Sequence, residues 1–214
     1  MNEIKQKDMT PYRLLKRNLL SWVIIVSITP LILVSCIILY QFKMSYNEKV
    51  EDHLEELIWK HKQNIDGFLR EKLSDIQTLA KSCTFEEMSD ESFLQNRLHI
   101  LQQSFGLVFV DLGVINTQGV QVAYAGPFKL GRAKYSEAEW FKKALKREYY
   151  KSDVFLGLRG FPHFIIAVKE TWEGEEWILR ATIDFVAFNN LVQEIRVGET
   201  GFAFILNKEG QFQT

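Results

Sequence analysis

An uncharged run of 22 residues, Leu19 to Tyr40, constrains the fold of this chain more than any other feature of its sequence. As a helix rising about 1.5 Å per residue, the run is roughly 33 Å long, which is enough to cross a hydrocarbon core of about 30 Å. Trp22 and Tyr40 lie near its two ends, where amphipathic rings prefer the membrane interface. The run therefore predicts a transmembrane helix over 19–40, surrounded by lipid.

The length of the run disfavours both a cleaved signal peptide and a buried core helix. The apolar region of a signal peptide is only about 7–15 residues long and ends in small residues. Here the polar segment SYNEKVEDH follows instead. Runs this long without a charge are also rare in the helices of a soluble core. We therefore expect an uncleaved membrane anchor.

The charges around the anchor predict its orientation. A basic cluster precedes it, consisting of Lys5, Lys7, Arg13, Lys16 and Arg17. Because positively charged flanks stay in the cytoplasm, residues 1–18 are predicted to be cytoplasmic and residues after about 42 extracytoplasmic. The net charge of the whole chain is -1, which gives no electrostatic case for binding nucleic acid.

Residue spacings give no sign of a catalytic or metal centre. Cys36 lies inside the predicted span and Cys83 far outside it, so no disulfide framework is expected. The four histidines, His53, His61, His99 and His163, are scattered, without the spacing of metal ligands. No nucleotide-binding or hydrolase motif is present. We expect no enzyme in these residues, no metal and no cofactor.

Residues 43–82 have the pattern of one long helix. The segment has no proline, and mostly apolar residues recur at spacings of three and four: Val50, Leu54, Leu57, His61, Ile65, Phe68, Lys72, Ile76 and Leu79. This is one face of a helix of roughly 60 Å. The face either packs on the chain's own domain or, in its first half, also pairs with a second subunit as a loose coiled coil. The second possibility predicts a homodimer.

After residue 82 the pattern changes to that of an α+β domain with an antiparallel five-stranded sheet. A helix is predicted over 89–103, starting at Ser89 or Asp90. Strands are predicted over 107–116, 120–125, 152–156, 163–169 and 177–184, with a helix over 137–147 capped by Ser136 between the second and third. A helix over 185–196 and a new strand and turn within GFAFILNKEG follow. The chain ends after that turn, so we expect a fragment of a longer protein.

The order of these elements, together with Val197-Gly-Glu-Thr-Gly-Phe-Ala-Phe-Ile-Leu-Asn-Lys-Glu-Gly210, resembles the double Cache (PAS-like) sensor domain of bacterial transmembrane receptors. The resemblance implies a membrane-distal sensor lobe over 83–196 and the start of a smaller membrane-proximal lobe over 197–214. It also implies a receptor of the bacterial cytoplasmic membrane, with the sensor domain outside and a small polar molecule as ligand. A sensor histidine kinase is the first choice for the output beyond residue 214. The alternatives are a chemoreceptor, a cyclic-dinucleotide enzyme and a membrane-anchored assembly module without a ligand.

Amino-acid-binding members of that family carry the motif R-x-W-Y-x-x-A at the start of the short helix, and residues 138–144 match it in part. Trp140 and Ala144 agree, Phe141 replaces the tyrosine, and Ala138 replaces the arginine. The family's later tyrosine and aspartate correspond to two further residues, Tyr150 and Asp184. The resemblance thus implies a site containing Trp140, Phe141, Tyr150 and Asp184 that lacks the arginine for an α-carboxylate.

Four more residues are candidates for the same site. Arg159, in the loop GLRGFPH, offers a forked donor for an anionic group, and His163 adds a second donor. Tyr124 and Tyr135 would frame the body of a ligand. The structural alternatives are core packing for the tyrosines and for Phe141, and a solvated loop charge for Arg159.

The orientation of the anchor can be tested by labelling thiols in intact cells. A membrane-impermeant thiol reagent is expected to label Cys83, where exposed or unfolded, and to leave a Lys5→Cys variant unlabelled. Permeabilised cells provide the control, because the cysteine at position 5 becomes reactive there. Labelling of that cysteine in sealed cells would place the N-terminus outside and reverse the orientation.

Overall fold

The computed structural model describes residues 9–130, 132–157, 160–193, 196–197 and 201–213. It consists of two units, Met1–Leu57 and Ile58–Thr214. Helix α1, Met9–Ser82, is continuous through both. The predicted site residue Arg159 lies outside the described residues.

The first unit consists of the N-terminal part of α1. The apolar stretch 19–40 is exposed along its whole length, with no packing partner among the described residues. In the part of the chain that the structure describes, α1 is the one helix that is long and apolar enough to cross a membrane. The stretch is therefore not the buried helix of a soluble core.

The second unit is an α+β domain, as predicted. After the rest of α1 come α2 (Phe85–Ser89), α3 (Glu91–Phe105), β1 (Phe109–Asn116), β2 (Gln121–Ala125), α4 (Glu139–Ala144), β3 (Tyr149–Lys151), β4 (His163–Trp172), β5 (Glu175–Asp184) and α5 (Phe185–Gln193). The strands form one five-stranded sheet in the order β2-β1-β5-β4-β3, in which every neighbouring pair is antiparallel. A short pair, β6 (Arg196–Val197) and β7 (Gly201–Phe202), follows.

One face of the sheet carries the main hydrophobic core. Successive side chains of a strand point to opposite faces, and on β5 Trp177, Leu179, Ala181 and Ile183 all point to this face. They pack with Leu73 and Ile76 of α1 and with α3. The apolar face predicted for the long helix is therefore packed on its own domain in its second half.

Lys72 lies on this apolar face and is only 3% exposed. Its Nζ lies 3.6 Å from the centre of the Phe105 ring and forms ion pairs with Glu71 (2.7 Å) and Asp75 (3.3 Å). The cation is thus satisfied by an aromatic face and two carboxylates, which explains a lysine within an otherwise apolar pattern.

Several predicted boundaries are corrected by the structure. The helix expected over 137–147 is shorter, Glu139–Ala144, and Ala138 rather than Ser136 is its N-cap, without a side-chain hydrogen bond. The helix predicted over 185–196 ends at Gln193, since Arg196 belongs to β6. Of the last predicted strand, only Gly201–Phe202 pairs in β7. The turn at Asn207–Gly210 is confirmed by a hydrogen bond from Gly210 N to Asn207 O.

The third strand was predicted over 152–156, but β3 is Tyr149–Lys151. Its regular pairing ends at Ser152, whose hydroxyl accepts a hydrogen bond from Ile165 N (2.9 Å). Val154 N then donates to the side chain of Gln213 (2.7 Å) instead of to β4. Over part of the segment that was predicted to be a strand, side-chain acceptors therefore replace the backbone acceptors of a regular strand pairing.

Replacing a buried residue of α1 should destabilise the domain. Ile76 is fully buried, whereas Ile58 on the same helix is 65% exposed. We expect Ile76→Ala to lower the free energy of unfolding by about 2–5 kcal/mol, and Ile58→Ala to change it by less than about 0.5 kcal/mol. Denaturant unfolding of the detergent-solubilised chain, followed by tryptophan fluorescence, measures both. Equal effects of the two substitutions would contradict this packing.

Candidate functional site

The face of the sheet opposite α1 carries a cavity of about 530 Å³. It lies between α4, the loop before α4, the segment after β3, and the sheet. Its lining residues come from all of these: Leu130, Lys134, Tyr135, Ala138, Glu139, Trp140, Lys143, Tyr150, Ser152, Asp153, Phe155, Gly157, His163 and Arg180. A smaller apolar cluster around Ile115, Ile165 and Ile178 packs against the residues that line the cavity.

Aromatic rings form much of the cavity wall. The ring centres of Tyr135 and Trp140 are 5.1 Å apart, and those of Phe155 and His163 are 4.6 Å apart. His163 Nδ1 donates a hydrogen bond to the carbonyl of Phe161 (2.8 Å), which fixes the orientation of the imidazole. These contacts give a rigid wall with polar edges, of the kind that surrounds small organic ligands.

Among the described residues that line the cavity, the least exposed polar residue is Arg180, at 4%. Its Nη2 donates to Asp111 Oδ1 (3.2 Å) and its Nη1 to the hydroxyl of Tyr135 (2.7 Å). Asp111 is fully buried. Arg180 Nε is buried and has no hydrogen-bond partner among the described residues. The guanidinium is therefore paired on one side and retains one unpaired donor.

Two features of the neighbouring strands make room for this guanidinium. A Cβ atom added to Gly113 would lie 2.8 Å from Gln121 Oε1 and 3.3 Å from Arg180 Nη2. A side chain at position 113 would therefore displace both groups. The pairing of β1 with β2 shifts between Val114 and Ile115, which leaves Val122 as an extra residue. Because of this β-bulge, Gln121 and Tyr124 lie on the same face although they are three residues apart.

The rim of the cavity carries a second cation, Lys143. Glu139 lies 3.3 Å from its Nζ, and this hydrogen-bonded carboxylate raises the pKa of Lys143 above its ordinary value, with a further contribution from Tyr150. Lys143 therefore stays protonated throughout the physiological pH range. Its Nζ also lies 5.9 Å from the centre of the Tyr150 ring.

The structure brings four of the eight sequence-predicted site residues together at this cavity: Tyr135, Trp140, Tyr150 and His163. Phe141 is buried behind Trp140, with which it forms an edge-to-face contact. Tyr124 lies in the layer behind Arg180, where its hydroxyl donates to Asp111 Oδ2 (3.2 Å).

Asp184 is placed elsewhere. Its carboxylate accepts a hydrogen bond from Val186 N (3.1 Å) at the start of α5. It lines a different surface depression, together with Gln102 and Gly126. The described lining of the main cavity does not include it.

Arg180 and Asp111 were not predicted as site residues. A signal for Arg180 was present in the sequence, because it alternates with apolar residues in Trp177-Ile-Leu-Arg-Ala-Thr-Ile183 and therefore shares a face with Ile178. Nothing in the sequence pairs Arg180 with Asp111, which precedes it by 69 residues. Among the described residues, no three His, Cys, Asp or Glu side chains cluster as metal ligands.

The five-stranded sheet packed on a long helix is the fold of the ligand-binding domains of several bacterial chemoreceptors. The sequence matches no family model and no curated protein. Three of the solved structures that share the fold are chemoreceptor domains. The ligand-binding domain of Campylobacter jejuni chemoreceptor Tlp3 with 4-methylisoleucine matches with a TM-score of 0.62 and 13% identity, over 78% of this chain and 69% of that one. That of Pseudomonas fluorescens chemoreceptor CtaA with L-isoleucine has a TM-score of 0.61 and 14% identity, over 78% of this chain and 68% of that one. That of Pseudomonas aeruginosa chemoreceptor PctC with GABA has a TM-score of 0.62 and 15% identity, over 76% of this chain and 74% of that one.

The buried ion pair can be examined by a double-mutant cycle. Asp111→Leu or Arg180→Met alone leaves one buried charge without its partner, and each is expected to lower the free energy of unfolding by about 3–5 kcal/mol. The double variant should be clearly less destabilised than the sum of the two, because neither charge remains. Denaturant unfolding of all four chains measures the coupling. Additive effects would show that the two side chains do not interact energetically.

Proposed function

We propose that the second unit of this chain binds a small polar molecule and is the input domain of a bacterial transmembrane receptor. The observation that carries this proposal is the cavity with aromatic walls and a deeply placed guanidinium. Its volume lies in the range of about 300–1,000 Å³ that is typical of small-molecule sites. A few polar groups in an otherwise apolar wall are also typical of such sites.

The burial of Arg180 favours ligand binding over a ligand-free assembly module. Replacing a whole buried ion pair by apolar residues of similar volume is often neutral or stabilising, so a lining with only a packing role would lose nothing from apolar residues in place of Arg180 and Asp111. The chain instead keeps a charged, hydrogen-bonded group beside an open cavity. Such a group is useful where a ligand carries a complementary one.

The location follows from α1. The exposed apolar stretch 19–40 would lie in the bacterial cytoplasmic membrane, with residues 1–18 in the cytoplasm and the second unit outside. A homodimer formed by the first half of the long helix stays a prediction from the sequence. Binding would transmit a signal only if the ligand prefers one of two conformations of the domain.

The similar structures favour a chemoreceptor over the histidine kinase that was the first choice from the sequence. Tlp3, CtaA and PctC are chemoreceptors, and their domains bind 4-methylisoleucine, L-isoleucine and GABA, which are molecules of a size that the present cavity would hold. These domains are also ligand-binding rather than catalytic, which agrees with a sensory role for this chain. We therefore favour chemotactic output.

A thermal-shift screen of amino acids, amines and organic acids against the detergent-solubilised chain tests the proposal. A ligand at 100 times its Kd should stabilise the domain by about 2.7 kcal/mol and raise its unfolding temperature. Trp140→Ala should abolish the shift because it removes part of the cavity wall. Trp172→Ala, at the far end of β4 and outside the described lining, is the matched control.

Two results would contradict the proposal. The absence of any stabilising compound would favour the ligand-free assembly module. Hits that are equally weakened by Trp172→Ala and Trp140→Ala would place the binding site elsewhere.

A further inference from the structure

The polar groups of the cavity also indicate the chemical class of its ligand, an inference that rests on the proposed function. Arg180 lines the cavity and is the least exposed polar residue in its lining. Two nitrogens of its guanidinium are bound to Asp111 and Tyr135, and Nε is buried without a partner among the described residues. A guanidinium only donates hydrogen bonds and always carries a positive charge. The wall around Arg180 therefore suits a ligand group that is anionic and accepts hydrogen bonds.

The carboxylates near the cavity that could bind a ligand ammonium group already accept hydrogen bonds from other residues or lie at the rim of the cavity. Asp111 accepts from Arg180 through one oxygen and from Tyr124 through the other. The Glu139 side chain is 87% exposed and paired with Lys143. Asp153 accepts a hydrogen bond from the amide of Asn207 (3.3 Å). Asp184, the residue in the position of the family's amine contact, lines a different depression.

Two further cations, Lys134 and Lys143, line the same cavity. Lys143 is paired with Glu139 at the rim. Ala138, at the position where the family resemblance expects an arginine, also lines the cavity. A small residue at the N-cap of α4 thus lines a cavity whose buried arginine is supplied by β5.

We propose that the ligand is a small organic acid whose carboxylate contacts Arg180 and whose apolar body lies against Trp140 and Tyr150. An α-ammonium group is not needed for binding. The ligand would thus differ from the amino acids seen in the similar chemoreceptors, because the cation comes from the sheet and the carboxylates in the described lining are engaged or at the rim. The specificity-determining residue is Arg180.

Isothermal titration calorimetry with matched compounds tests this class directly. The purified full chain in dodecyl maltoside is titrated with leucine, with 4-methylpentanoate, which lacks the ammonium group, and with 3-methylbutylamine, which lacks the carboxylate. Phenylalanine, 3-phenylpropanoate and 2-phenylethylamine form a second set with a larger body. In at least one set, the affinity for the acid should equal or exceed that for the amino acid. It should also exceed the affinity for the amine by about tenfold or more.

The role of Arg180 is tested with Arg180→Lys, which keeps a cation beside Asp111 but removes the Nε donor and the planar fork. Affinity for the preferred acid should fall by about tenfold or more at a temperature where the variant is folded. The melting temperature without ligand should fall less than in Arg180→Met, because a cation stays beside Asp111 while the hydrogen bond to Tyr135 is lost. Lys142→Gln is the control, because Lys142 neighbours Lys143 and has the same type of ion pair (with Glu137, 2.8 Å), but is outside the described lining. The comparison of compounds on the unsubstituted chain remains decisive if the variant fails to fold.

The outcomes separate this proposal from the proposed function. Preference for the amine, a requirement for the ammonium group, or acid binding unchanged by Arg180→Lys would overturn the organic-acid assignment while leaving a small-molecule sensor in place. Binding of an uncharged compound from the wider screen, with no response to any of the six compounds, would do the same. If neither the six compounds nor the wider screen gave binding, the proposed function itself would fail.

Discussion

The cavity face of the sheet depends on the burial of one guanidinium, that of Arg180. A charge removed from water is costly unless it is paired and hydrogen-bonded. Here the partners come from distant parts of the chain: a carboxylate from Asp111 on β1 and a hydroxyl from Tyr135 in the loop before α4. The absence of a side chain at Gly113 leaves the necessary space. Strand register, loop position and one glycine are therefore all constrained by a single charged side chain.

The general architecture was predictable because it depends on patterns that repeat along the chain. Runs rich in β-branched and aromatic residues, bounded by turns, predicted four of the five strands near their observed positions, and the end of the helical spacing marked the start of the sheet. The long helix was predicted from its own repeating pattern, the spacing of apolar residues by three and four. The third strand was misplaced, because its end is set by hydrogen bonds from backbone N–H groups to the side chains of Ser152 and Gln213, which no local pattern reveals.

The site was predictable only in part, since cavities are formed by contacts between elements. Residues close in sequence to the short helix, such as Trp140 and Tyr150, lie at the cavity, and the resemblance to a known family identified them. Asp184 does not lie there, because as the last residue of β5 its carboxylate caps the first turn of α5. Arg180 was overlooked because a charged residue within a strand is normally assigned to a solvent-exposed face. Its burial depends on a partner 69 residues away.

The segment after β3 connects the cavity to the last part of the chain. Ser152 and Asp153 line the cavity, and the same two residues line a second cavity beside α1, together with Val154 and residues 203–208. Val154 N donates to Gln213 (2.7 Å), and Asn207 donates to Asp153 (3.3 Å). A ligand that displaces this segment therefore changes hydrogen bonds that hold residues 207–213. A receptor needs such an element with two arrangements that the ligand stabilises unequally. The segment keeps backbone hydrogen bonds to β4 at Ser152 and Phe155, but between them Val154 N is held by the side chain of Gln213. This short stretch is suited to the role because a side chain exchanges partners more easily than a strand leaves its ladder.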